Sequence, residues 1–223
     1  MQYANVNGDR VKALVSGAKG KCPVCKSGVV AKCGSINIHH WAHISKVECE
    51  SDKETETAKH RAFKEQFPEQ CREVVRGSRR ADILIDDFVI EYQVSYISFE
   101  QILQRTQDWN DFGYRVFWIL DYEKKAKKGL ISKRGKEKEY PHTLTYYWDY
   151  HSKHIKKAVE KNLNAAFYIK GVEENQLLRI EKFHTNKKHK HIEVKAVNYN
   201  NFINNFIKRL QRQTSHGLQK HTA

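Results

Sequence analysis

Residues 79–98 read RRADILIDDFVIEYQVSYIS, and the fold turns on them. Asp82 opens an apolar run (Ile83, Leu84, Ile85), Asp86 and Asp87 make a turn, and a second run (Phe88, Val89, Ile90) delivers Glu91 and then Gln93. Runs of β-branched and aromatic residues separated by an acidic pair predict a β-hairpin. With so short a turn, residues at the far ends of antiparallel strands lie opposite each other, so Asp82 is expected close to Glu91. Gln93 shares the face of Glu91, because side chains two apart in a strand point the same way. Two carboxylates at one end of a hairpin repel unless a cation separates them, and Mg²⁺ or Mn²⁺ suits oxygen ligands of this kind. Such an ion activates water and neutralises charge developing on a phosphate. The plainer reading is a solvent-facing hairpin with acidic edges.

The order Asp, a short gap, then Glu-x-(Lys or Gln) resembles the core of the PD-(D/E)XK nucleases, with Gln93 where many members carry lysine. The rest of the chain bears on this expectation. Its 223 residues suffice for a sizeable core, and 39% hydrophobic against 30% charged residues indicates a globular protein. Lys and Arg outnumber Asp and Glu by 40 to 26, a formal charge of +14. That surplus favours a polyanionic partner, since basic residues that neutralise phosphates release condensed counterions. No run of about 18 apolar residues exists, which argues against a membrane span. The first ten residues, MQYANVNGDR, lack a basic-then-apolar signal segment, so a cytoplasmic location is expected. Five cysteines in that setting point to a metal site or thiols rather than to disulfides.

Two short strands, 2–6 and 10–15, are expected around the turn Asn7-Gly8-Asp9. Then Cys22-Pro23-Val24-Cys25 sets two thiolates on a tight knuckle, and His39-His40-Trp41-Ala42-His43 follows. Cys22, Cys25, His40 and His43 give C-x2-C-x14-H-x2-H, four ligands for a tetrahedral Zn²⁺ site, with Cys33 and His39 as rivals. A closed four-ligand site is structural, so chemistry is expected elsewhere.

Residues 48–66 have the composition of a helix, with Ser51 or Asp52 as N-cap. Glu56, His60 and Lys64 are spaced i, i+4, i+8 and line one face of it. An edge strand is expected at 73–75 and a turn at Gly77-Ser78, with Arg72, Arg76, Arg79 and Arg80 available to flanking phosphates. Residues 98–110 predict a second helix with a Ser98/Gln101 capping box and Arg105 on its polar face. The apolar run 114–120 reads as a strand covered on both sides. The basic run 124–138 reads as a linker or loop. Beyond it, 140–148 is expected to be extended, 151–166 a basic helix, 177–183 and 191–197 paired strands, and 199–213 a closing helix. His184, His189 and His191 are assigned to a basic surface loop.

The succession CPVC, HHWAH, ETAKHRAFK, RAD, IEYQVS and Arg105 resembles the competence protein CoiA-like family over residues 20–120. That resemblance implies an N-terminal zinc knuckle joined to a restriction-endonuclease-like core. It implies Glu56, Asp82 and Glu91 as ligands of Mg²⁺ or Mn²⁺, with His60, Lys64 and Gln93 beside the scissile phosphate. The Glu-x-Gln form occurs in the family, and it makes Lys64 the candidate for the missing positive charge.

The fold class expected is α/β (α+β), a mixed central sheet flanked by helices. Five segments follow: strands and zinc knuckle (1–47), nuclease core (48–123), basic linker (124–139), an α+β extension (140–213) and a disordered tail (214–223). The function expected is a metal-dependent DNA nuclease serving recombination or defence, with Arg79, Arg80 and Arg105 on DNA. The alternative is a non-catalytic zinc-containing DNA-binding protein that assists a recombination protein.

Overall fold

A computed structural model describes residues 1–35, 38–49, 56–133, 144–148, 153–161, 163–185 and 190–219. The chain divides into two compact units, Met1–Leu84 and Ile85–Ala223.

The first unit begins with β1 (Tyr3–Val6) and β2 (Asp9–Lys12), an antiparallel pair. Asn7 and Gly8 both take positive φ (52° and 96°), the backbone that a two-residue hairpin turn needs and that Asn and Gly tolerate. Next come β3 (Lys19–Lys21), β4 (Gly28–Lys32) and β5 (His40–His43), giving a five-stranded sheet in the order β2-β1-β3-β4-β5. Its core is small: Ala4, Val29, Ala31 and Trp41 pack with Cys22 and Cys49. Trp41 keeps its indole N–H satisfied on the Val11 carbonyl, 3.0 Å away.

Helix α1 spans Ala58–Lys64 and is shorter than expected. Thr57, rather than Ser51 or Asp52, is the N-cap, its hydroxyl accepting from the His60 N–H at 3.2 Å. Residues 50–55, which include those two candidates, lie outside the described residues. The expected edge strand is displaced by two residues: β6 (Val75–Arg76) pairs with β7 (Arg79–Arg80) around Gly77. Strand β8 (Ile83–Ile85) carries the chain from the first unit into the second.

In the second unit, β9 (Phe88–Gln93), α2 (Phe99–Asp111) and β10 (Arg115–Asp121) form a β-α-β crossover, with β9 and β10 parallel. The Ser98/Gln101 capping box is present in full. Ile102, Thr106 and Trp109 recur at helical spacing and are buried, which fixes the face of α2 laid on the sheet. Trp118 of β10 donates to Thr106 Oγ1 at 3.0 Å across that contact.

The basic run opens with α3 (Glu123–Lys127) and β11 (Ile131–Lys133), so part of it is ordered, and 134–143 lie outside the described residues. There follow β12 (Leu144–Trp148), α4 (Lys153–Glu160), β13 (Ala165–Lys170), β14 (Gln176–Thr185), β15 (Lys190–Asn198) and α5 (Tyr199–Gln219). The eight-stranded sheet runs β11-β12-β15-β14-β13-β10-β9-β8. It is mixed: β9, β10 and β13 are parallel, and β13-β14-β15-β12-β11 are antiparallel. The mixed α+β architecture is the one expected.

Further departures from the sequence reading lie in the C-terminal half, where His184 and His191, assigned to a surface loop, pair across β14 and β15. Residues 165–166, assigned to a basic helix, begin β13, a central strand. The run Ala166, Phe167, Tyr168, Ile169 is buried between neighbours on both sides, so tertiary burial overrides the helical context before it. The strands of the expected α+β extension join the main sheet. Helix α5 continues to Gln219, past residue 213. On one face of the sheet, Phe202 and Phe206 of α5 pack edge-on against Phe117, with ring centroids 6.1 and 5.4 Å apart.

Candidate functional site

Four ligand atoms, from Cys22, Cys25, His43 and Cys49, lie within 4.8 Å of one another. The Cys22 and Cys49 sulfurs are 3.8 Å apart, and Cys25 Sγ is 3.2 Å from His43 Nε2. Ligands about 2.3 Å from a tetrahedral zinc ion stand roughly 3.8 Å apart, so the cluster has the size and donor set for zinc. Local structure makes this possible. Lys26, at φ 65°, donates its N–H to the Cys22 carbonyl at 3.0 Å, turning the knuckle so that both thiols face β5, where His43 sits. Burial opposes ionisation of the Cys25 thiol, but hydrogen bonds from Ser27, and then from His43 and Cys49, outweigh it and bring the thiol down to about 6. That favours the thiolate a metal needs.

The ligand set differs from C-x2-C-x14-H-x2-H in one member. His40 is not in the cluster; its Nδ1 lies 2.8 Å from the Ile38 carbonyl. His40 and His43 end a strand of four residues, three apart, so alternation turns them to opposite faces of the sheet. Cys49 takes the fourth place, and neither Cys33 nor His39 belongs to the cluster. None of the five cysteines forms a disulfide.

A second constellation in the first unit joins most of the predicted catalytic residues around one buried cation. Lys64, 2% exposed, is paired with Glu73, 4% exposed, and lies 2.5 Å from Glu56 Oε1. Burial alone would push the Lys64 ammonium down; the charges of Glu73, Asp82 and Glu56 outweigh it, so Lys64 is held above its ordinary value and stays protonated. His60 Nε2 and Asp82 Oδ2 are 2.8 Å apart. Arg61 donates to Glu56 Oε2 at 2.7 Å and to the His39 carbonyl at 2.8 Å. Burial would raise the carboxyls of Glu56 and Glu73. For Glu56 the Lys64 charge prevails, and for Glu73 those of Arg80 and Lys64 do, so both titrate below the usual range. Sequence reasoning did not single out Glu73. It accepts the Gln2 N–H at 2.9 Å, and Arg80 stands 3.8 Å from it. Arg79 is half-buried next to Arg80 on β7.

In the second unit Glu91, fourth residue of β9, is 1% exposed. Its Oε2 accepts from Arg105 at 2.6 Å and its Oε1 from the indole of Trp109 at 2.9 Å. Arg105 and Trp109 are four apart on α2, which aligns both donors over the strand. Trp109, which carried no motif, is thus the second donor to Glu91. Gln93, two residues on and facing the same side, donates from Nε2 to Ser95 Oγ at 3.0 Å. Arg105 and Arg80, expected on polar surfaces facing phosphates, are mostly buried and each paired with a carboxylate.

The fold and these constellations define a mixed α+β protein with a zinc-sized Cys₃His cluster in its first unit and buried carboxylate–cation clusters in both. Two family models match it: "Competence protein CoiA, N-terminal domain" over residues 5–52, and "Competence protein CoiA, nuclease-like domain" over residues 56–205. The chain belongs to the competence protein CoiA family. The nuclease-like match runs well past residue 120, where the motif resemblance ends, and takes in β12 to β15 and the start of α5. No curated protein and no solved structure matches the chain. Among the described residues, no helix is long and apolar enough to cross a membrane.

Proposed function

We propose that this chain is a metal-dependent nuclease that hydrolyses phosphodiester bonds in DNA, in the cytoplasm, with zinc structural in the Cys22/Cys25/His43/Cys49 cluster. The observation that carries the reading is Lys64, a buried, protonated lysine ringed by acids inside the segment that matches the nuclease-like family model. A cluster of this kind is arranged to bind charge, which is what phosphoryl chemistry asks of a protein.

Glu56, Asp82 and Glu91 are the assigned ligands of Mg²⁺ or Mn²⁺. Their oxygens suit a hard ion, and each faces a basic partner: Lys64 and Arg61 for Glu56, His60 for Asp82, Arg105 for Glu91. When bound, such an ion lowers the pKa of water and offsets charge on the phosphate. Lys64, already protonated, cannot serve as the base and instead supplies positive charge towards the phosphate. His60 holds the Asp82 carboxylate through Nε2. Gln93 orients the attacking water by hydrogen bonding. Arg79, Arg80 and Arg105 are assigned to flanking phosphates; a guanidinium has five donors, so a bond to one carboxylate does not exhaust it.

Purified Asp82→Ala and Glu91→Ala proteins should lose Mn²⁺-dependent cleavage of plasmid and single-stranded DNA while keeping most of their DNA affinity. Cleavage retained by either variant rules out the assignment. The second reading, a zinc-containing DNA-binding protein that passes strands to a recombination protein, is favoured by Glu91, both of whose oxygens already accept internal hydrogen bonds. A mobility shift with no cleavage at any Mn²⁺ concentration would decide for it.

A further inference from the structure

A cleft of about 400 Å³ opens in the second unit beside the carboxyl ends of the parallel strands β9 and β10. Gln93 and Leu120, near the last positions of those strands, form its inner wall, and the starts of α3 and α4 bring Lys125, Lys153 and His154 to it. Sites for small organic ligands occupy roughly 300–1,000 Å³, so the cleft has room for about one nucleotide and none for a duplex.

Its chemistry is uneven in an informative way. Tyr96 stands at the cleft 72% exposed, a large aromatic ring left in water. The ring is not loose: its hydroxyl is 2.7 Å from His154 Nε2, and the two rings meet edge to face with centroids 5.3 Å apart. Lys125 lies 4.1 Å over the Tyr122 ring. Asp121, an acid of the lining, has both oxygens engaged, Oδ2 by the Tyr92 hydroxyl at 2.6 Å and Oδ1 by the Glu123 N–H at 3.1 Å. What the cleft offers a ligand is one held aromatic face with two lysines and a histidine beside it. Aromatic platforms flanked by cations bind unpaired bases, because every base has a stacking face and every nucleotide a phosphate. A paired base within a duplex has no face to give.

We propose that this cleft receives an unpaired nucleotide of single-stranded DNA, its base on Tyr96 and its phosphates on Lys125 and Lys153. Gln93 joins the cleft wall to the Glu91-x-Gln93 motif, so an occupant lies next to that part of the assigned site, and the preferred substrate is a single strand. The step from occupancy to cutting rests on the nuclease reading; the binding itself does not.

The test is therefore one of binding, in EDTA, with the full chain. The probes are a short oligodeoxynucleotide carrying 2-aminopurine and the same strand annealed to its complement. The wild type should bind the single strand with quenching of 2-aminopurine. Tyr96→Ala should weaken that binding about tenfold and abolish the quench, Tyr96→Phe should keep both, and duplex affinity should not move. Lys125→Ala and Lys153→Ala should each reduce the salt slope on the single strand by about 0.7. Thermal melting checks that the variants fold. The proposal is overturned if Tyr96→Ala binds and quenches like wild type, if Tyr96→Phe fails as badly as Tyr96→Ala, or if single-strand and duplex affinity fall together. Binding with the expected variant pattern but no cleavage in Mn²⁺ would end the nuclease reading and leave the cleft assignment standing. Cleavage by a Tyr96→Ala protein that also binds and quenches like wild type would do the reverse.

Discussion

The buried residues of Met1–Leu84 include Lys64, Glu73 and His60 as well as Cys22 and Cys49 of the cysteine–histidine cluster, whereas those of Ile85–Ala223 are mainly aliphatic and aromatic, among them Ile90, Trp118, Ile119, Ile169, Leu178 and Ile192. The larger unit closes a hydrophobic core between its sheet and helices, and its buried carboxylate Glu91 is answered by Arg105 and Trp109. The smaller unit buries mostly small side chains around its sheet, Ala4, Ala13, Val29 and Ala31 beside Trp41, with Phe63 and Phe67 buried on and after α1. Small domains bury a lower fraction of their surface on folding and compensate with metals or other cross-links. The contrast teaches that buried ion pairs and a metal-sized cysteine–histidine cluster supplement the apolar core of the first unit, whereas the second relies mainly on apolar burial.

The largest effect should come from removing the metal. Structural zinc contributes on the order of 10 kcal/mol to the folding of small modules, so chelation, or Cys22→Ser with Cys49→Ser, should unfold β3 to β5. Hydrogen exchange should show protection lost in residues 1–49 and kept in β10 and β13. Equal loss in both units would mean that the second unit depends on the metal as much as the first.

Next in size is Glu73→Gln. It leaves Lys64 and Arg80 buried without their shared carboxylate, a change that costs about 3–5 kcal/mol where a buried pair is broken. Chemical denaturation followed through Trp41 fluorescence should report it. A loss under 1 kcal/mol would mean that water or another acid replaces Glu73.

Acid should act on the same group. Glu73 and Glu56 titrate below the ordinary carboxyl value of 4.5 in the folded chain. A depressed folded pKa contributes stability that is complete above the unfolded value and declines as pH falls below it. The first unit should therefore weaken from about pH 4.5 downward, in zinc-saturated protein as well, and Glu73→Gln should flatten that profile. The smallest effect expected is that of Ser98→Ala, which removes the capping hydroxyl of α2 and should cost the second unit about 1 kcal/mol, with no change in residues 1–49.

How much of this was legible depended on how local each signal is. The strands flanking Asp86-Asp87, the Ser98/Gln101 box and the β14/β15 pair are written in neighbouring residues, as alternation or capping chemistry, and all are present. Cys49 was missed because it follows His43 by six residues in a stretch that reads as helix; the hint available was a further cysteine within reach of an incomplete Cys-x2-Cys knuckle. Glu73 had no hint at all. It is one acid between Arg72 and Val74, at φ 46°, and its importance lies in partners nine residues back on α1 and in the amide of residue 2.

The amino-acid sequence alone determined the family's motifs, a cysteine–histidine knuckle able to hold a metal, the acidic strand pair and the basic charge, because each of these is a matter of residue type at short spacing. Only the tertiary structure decided that Cys49 replaces His40, that Lys64 is held charged by Glu73, and that residues 165–170 form a central strand. Those outcomes depend on which groups are buried together, and burial sets the cost of a lone charge or an unpaired strand through contacts that no short window of sequence contains.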